Sequence, residues 1–183
     1  LDHAAENDFD EIVKLFIIYA PLFSAIEKND IDTVKSLLKV DGIDINATNQ
    51  DGMTALMIAS ERGFEEIVNL LLSVDVINVN ASDIDQRTAL MHASQRCHVA
   101  IVDLLLADGR VDVNAVDDYG HNVLNLLGFL GHVRIVELIL NYKGGAIEIN
   151  STNNFGITAL MRASLNGKTE MVKLLLKANG IRV

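Results

Sequence analysis

The chain has 183 residues, 50% of them hydrophobic but only 5% aromatic and none Trp, so one core built mainly from Leu, Ile, Val and Ala is within its reach. Its formal net charge is −10 and no basic run occurs, which argues against nucleic acid, whose phosphates are held by clustered Lys and Arg. The apolar stretches fall short of the roughly 20 residues of a membrane span, no secretory signal pattern opens the chain, and the single cysteine, Cys97, forms no internal disulfide; these point to an intracellular and most simply cytoplasmic protein.

The elements repeat. DGMTALMIASERGFEEIVNLLL (51–72) returns as DQRTALMHASQRCHVAIVDLLL from Asp85, as FGITALMRASLNGKTEMVKLLL from Phe155 and more loosely as YGHNVLNLLGFLGHVRIVELIL from Tyr119. Leu22, Leu56, Leu90 and Leu124 stand 34 residues apart, and Leu160 follows after 36, with the two extra residues accommodated in NYKGGAIEIN at Gly144 and Gly145. Periods of this size mark stacked supersecondary units, none of which can bury its apolar face alone.

In chain order, residues 1–19 read as a helix pair whose Leu1 aligns with Leu22 after only 21 residues, so this first pair is incomplete and lacks a finger. A second pair covers 21–40. In the third, 54–74, Thr54 is placed to N-cap a short helix by accepting an otherwise orphan backbone amide. Gly63 ends that helix, since the residue after a helix commonly takes positive φ. Ile67, Val68, Leu71 and Leu72 then make one buried stripe on the next helix. Residues 76–86 alternate briefly and turn back, as an extended finger leading into the pair at 88–108. Pairs at 122–142 and 158–178 complete a series of about six in a single domain, 1–183. The predicted class is all-α: antiparallel helix pairs stacked into a solenoid, with β-hairpin-like fingers between them.

These residues resemble the ankyrin repeat family. Its pattern is matched at Gly52, Thr54, Leu56, Ala59, Gly63, Ile67 to Leu72 and Asn80-Ala81, and its Pro-Leu at Pro21-Leu22. The departures are local. Met57, Met91, Asn125 and Met161 replace the usual His after Leu, leaving the cap to Thr or Asn122 alone. Gln86 replaces a turn glycine, and Cys97 replaces the glycine between helices. The recurring Met residues are expected to pack between repeats.

Few groups suggest chemistry. His92, Cys97 and His98 lie close in sequence, but no set of four ligands has zinc-type spacing, so no metal is expected. Glu65-Glu66 opens a helix, where its dipole welcomes negative charge, and Asp117 occupies the finger turn. No phosphate loop, nucleophile elbow or Ser/His/Asp constellation occurs, so neither catalysis nor a cofactor is expected. Three sequons, at Asn46, Asn80 and Asn150, share one repeat position and read as structural.

The resemblance implies that repeated residues hold the stack, while finger tips and the exposed side of each first helix bind partners. Carried over by position, the partner-binding candidates are Arg62, Asp85, Arg87, Arg96, Tyr119, His121, Phe129, Leu130, Phe155, Ile157, Leu165 and Asn166. The earlier part of this stripe is charged and polar. Its later part carries Tyr119, Phe129, Leu130, Phe155, Ile157 and Leu165 where solvent is expected, and clustered exposed apolar groups need a reason. The expected function is a non-catalytic protein–protein scaffold for a partner with a basic or apolar segment; the alternative is a structural spacer within a larger chain or complex. The final pair keeps Met171, Val172 and Leu175 without a polar capping repeat after it, so a continuation beyond Val183 or a covering subunit is expected.

Overall fold

The computed structural model describes residues 20–182. The helix pair expected at 1–19 lies outside the described residues. Five pairs follow: α1 (Ala20–Glu27) with α2 (Ile31–Leu37), α3 (Ala55–Arg62) with α4 (Glu65–Leu72), α5 (Ala89–Gln95) with α6 (Val99–Asp108), α7 (Val123–Leu130) with α8 (Val133–Leu140), and α9 (Ala159–Leu165) with α10 (Thr169–Lys177). First helices pack on first helices and second helices on second helices, so the pairs stack as two layers. Among the described residues there is no sheet. Single antiparallel bridges, Thr48 with Thr54, Ser82 with Thr88 and Thr152 with Thr158, close three of the fingers.

The 34-residue register is the register of the core. Leu22, Leu56, Leu90, Leu124 and Leu160 are all buried, one in each first helix. The second helices answer with Ile67, Val68 and Leu71, then Ile101, Val102 and Leu105, then Ile135, Val136 and Ile139. Met57 and Met91 are buried between repeats as expected. Met161 is not: it stays 52% exposed, because α9 is the last first helix described and no further one covers it.

Short helices need their ends satisfied. The Oγ1 of Thr54, Thr88 and Thr158 accepts the N–H of Met57, Met91 and Met161 at 3.3, 3.4 and 3.2 Å. Asn122 does the same for Asn125 at 2.9 Å. Between the two helices of a pair the chain must turn through positive φ. Gly63 takes φ 83° there, and a Cβ on it would lie 2.7 Å from the ring of His98, whose Nε2 meets the Glu61 carbonyl at 2.9 Å. Asn29 occupies the same place in the first described pair at φ 54°, and Cys97 in the third at φ 62°. Gln86 likewise takes φ 61° in a finger turn. A left-handed conformation costs a residue with Cβ about 1–2 kcal/mol. Cys97→Gly should therefore raise the melting temperature, by somewhat less than that strain implies, since glycine also loosens the unfolded chain. A lower melting temperature would show that the exposed Cys97 side chain does more than occupy a glycine site.

The sequon position explains itself in the structure. The Nδ2 of Asn46, Asn80, Asn114 and Asn150 donates to a carbonyl in the next finger (Val76, Arg110, Ala146 and Gly180) at 2.7–2.8 Å. The Oδ1 of each accepts a backbone N–H from the same finger (Asn78, Asp112, Glu148 and Arg182) at 2.7–3.0 Å. The amide nitrogen that a glycan would take is thus already committed. A bidentate side chain of this kind sets the rise from repeat to repeat. Asn80→Ala should lower stability by about 1–2 kcal/mol, from two lost bonds at a partly hydrated position; an unchanged urea midpoint would contradict the ladder.

Candidate interaction face

The finger turns are organised by one buried or half-buried side chain each. Asn49, Asp83, Asp117 and Asn153 use Oδ1 to accept two backbone N–H groups ahead of them, at 2.8–3.0 Å. Successive tips are then joined by backbone bonds: Ile84 N–H to Asp51 O at 3.2 Å, Asp118 N–H to Asp85 O at 3.1 Å, and Asn154 N–H to Tyr119 O at 3.0 Å. This registration puts Asp51, Asp85, Tyr119 and Phe155 in equivalent places on neighbouring tips. The side chains that differ at one equivalent place are what the fingers present to a partner.

The earlier part of the stripe is polar and largely self-paired. Arg96 donates to Glu61 at 2.6 Å across α5 and α3, and that bond holds the Glu61 carboxyl below the usual carboxylate range. Arg87 lies 3.8 Å from Asp85, and Arg62 is exposed. The later part is apolar. Tyr119 is 54% exposed, Phe129 52%, Phe155 71% and Leu165 76%; Asn166 is exposed too, while Leu130 and Ile157 are half-buried. Phe129 and Leu130 keep their register at the end of α7, which caps at Gly131 as α3 does at Gly63.

His121 departs from expectation. The repeat position predicts an exposed side chain, but the ring turns inward, 8% exposed, with Nδ1 3.2 Å from Asp117 Oδ2. The cause is Asp117, itself 4% exposed, whose second oxygen needs a partner once the first has accepted two amides. One repeat earlier the buried Asp83 meets the same need from the helix side, through His92 Nε2 at 2.8 Å.

Between the third tip and α7 lies a groove of about 300 Å³, at the small end of ligand clefts and suited to a partner side chain or two. Tyr119 and His121, with ring centroids 5.9 Å apart, line it together with Leu126, Phe129 and Leu130. Arg87 and Gln95 from the preceding repeat and Arg162 from the following one complete its walls. Arg162 sits with its guanidinium carbon 5.5 Å from the Phe129 ring centroid, a cation–π arrangement. It comes this close because α7 and α9 pack tightly at Gly128, where a Cβ would lie 2.7 Å from the Ala159 carbonyl oxygen. Sequence reasoning missed Leu126 and Arg162. They share a repeat position with Ile58 and His92, and the change of residue type along that series is the signal that points to them.

A family model of ankyrin repeats (3 copies) matches residues 1–83, 22–117 and 109–183. The chain belongs to the ankyrin repeat family. No curated protein matches it. Ankyrin repeats are generally protein–protein interaction modules and typically non-catalytic. Among the described residues of this ankyrin stack, no three His, Cys, Asp or Glu side chains converge on a point that could hold a metal ion. No helix there is long and apolar enough to cross a membrane.

Proposed function

We propose that this ankyrin stack is a scaffold that docks a protein partner on its finger tips and first helices, with the energetic centre at Tyr119, Phe129 and Phe155. The observation that supports this is a pair of exposed aromatic side chains, Tyr119 and Phe129, lining one groove, with a third, Phe155, exposed at the equivalent place on the next tip, which a backbone bond registers to that of Tyr119. Rigidly held aromatic groups bury large area at small entropic loss, and they dominate measured interface energies. The polar half, Arg62, Asp85 and Arg96, serves as a rim that contributes orientation more than affinity. The apolar component of the expected partner fits the groove, whereas a basic segment finds two arginines already there. The lone cysteine, Cys97, suits a reducing compartment such as the cytoplasm.

The test is affinity capture from lysate of the chain's natural source, using the chain and its Tyr119→Ala/Phe129→Ala variant side by side. Proteins retained by the chain and lost by the variant support the reading. Retention unchanged by the variant, with both proteins folded, contradicts it.

A further inference from the structure

Resting on that reading, we infer that the groove selects a peptide segment carrying a carboxylate close to a large apolar side chain. The apolar requirement comes from the walls, Tyr119, Leu126, Phe129 and Leu130. The carboxylate requirement comes from the two arginines on either side of them.

Arg162 forms no ion pair among the described residues, and its Nη1 is buried without a hydrogen-bond partner. Its face is occupied by Phe129, which leaves the planar edge of the guanidinium for a carboxylate, the geometry in which Arg binds most strongly. Arg87 has two carboxylates near it, with Nη1 3.8 Å from Asp85 Oδ2, but its guanidinium hydrogen-bonds neither. Its Nε is buried and unbonded, 4.0 Å from Asp117 Oδ2. Asp117 is held away from Arg87 by the finger: its Oδ1 accepts the N–H groups of Tyr119 and His121, and its Oδ2 is turned to the His121 ring at 3.2 Å. An incoming carboxylate supplies what both arginines lack.

The charge balance limits the segment further. The chain carries −10 overall, yet the groove lining holds two arginines against one carboxylate, Asp117. The groove is therefore far less acidic than the protein as a whole. Asp85, 3.8 Å from Arg87, stands at its rim and opposes a second negative group. A single acidic residue flanked by apolar ones fits this field, and a polyacidic tract does not.

The probe is a library of random twelve-residue peptides displayed on phage, selected on the 183-residue chain and counter-selected on its Arg87→Gln/Arg162→Gln variant. Enriched peptides should place Asp or Glu within a few residues of Leu, Ile or Phe. A synthetic copy of the leading peptide should bind at least about tenfold more tightly than its twin with Asn or Gln in place of the acid. On the double-Gln variant the two should bind alike. The comparison of twins on the unaltered chain decides the matter even where the variant melts early. Enrichment of basic or uncharged peptides, equal binding by the twins, or no peptide preferring the chain over the variant would overturn the inference. The underlying reading fails separately: selected peptides that ignore Tyr119→Ala/Phe129→Ala do not use this groove at all. Peptides that respond to those substitutions but not to loss of the carboxylate leave the interface standing and remove only its acidic preference.

Discussion

Leu105→Ala should destabilise the protein by about 3 kcal/mol, the middle of the range for truncating a fully buried leucine. Leu105 has no exposed surface, and its helix, α6, contacts α4 before it, α8 after it and α5 beside it. In a stack each repeat touches only its neighbours, so weakening a central unit loosens both interfaces at once. Urea denaturation should show the midpoint falling and the transition broadening as the two halves uncouple. Leu105→Met, which conserves volume, should lose less than about 1.5 kcal/mol. Leu165→Ala serves as the control: that side chain is 76% exposed, so the change should stay within about 0.5 kcal/mol. A Leu105→Ala effect no larger than the control's would mean that the stacked core is wrongly assigned.

Tyr119→Ala with Phe155→Ala should weaken a bound protein partner by at least about 2 kcal/mol, roughly 30-fold, with the melting temperature unchanged. Both side chains are more than half exposed, so their loss leaves no cavity. They are neighbours by construction, because Tyr119 O accepts the N–H of Asn154, the residue just before Phe155. Glu61→Ala with Gln95→Ala should matter much less. It breaks one exposed pair, Glu61 with Arg96, of a kind worth about 0–1 kcal/mol. Isothermal titration of the unaltered chain and the two double variants separates the cases. A larger loss from the polar pair would move the docking centre to the earlier repeats.

The scaffold was legible because repetition reports it. Thr54, Thr88 and Thr158 cap, the leucines at one register position are buried, and Cys97 adopts the left-handed turn that a glycine position demands. What repetition cannot report is the direction of a side chain whose neighbours are particular to one repeat. His121 turned inward because Asp117 had an oxygen unsatisfied, and that need arises only after the finger has folded around it. Met161 matched Met57 and Met91 in sequence but has no described helix beyond it to pack against. Asn29 takes positive φ at a glycine position that the pattern of glycines alone did not mark. Arg162 was overlooked for a related reason. Its position carries Ser, Ile, His and Leu in the other repeats, and only the packing of α7 on α9 brings it over Phe129. The stack is thus written in what the repeats share, and the docking groove in what they do not.

Hydrogen–deuterium exchange of the chain, alone and saturated with a captured partner, tests the central claim most directly. If the finger tips and first helices form the interface, binding slows exchange at 118–121, at 154–157 and at the C-terminal turn of α7, while α4, α6 and α8 exchange as before. Protection confined to those second helices, with the third and fourth tips unchanged, would place the partner on the other layer and contradict the account.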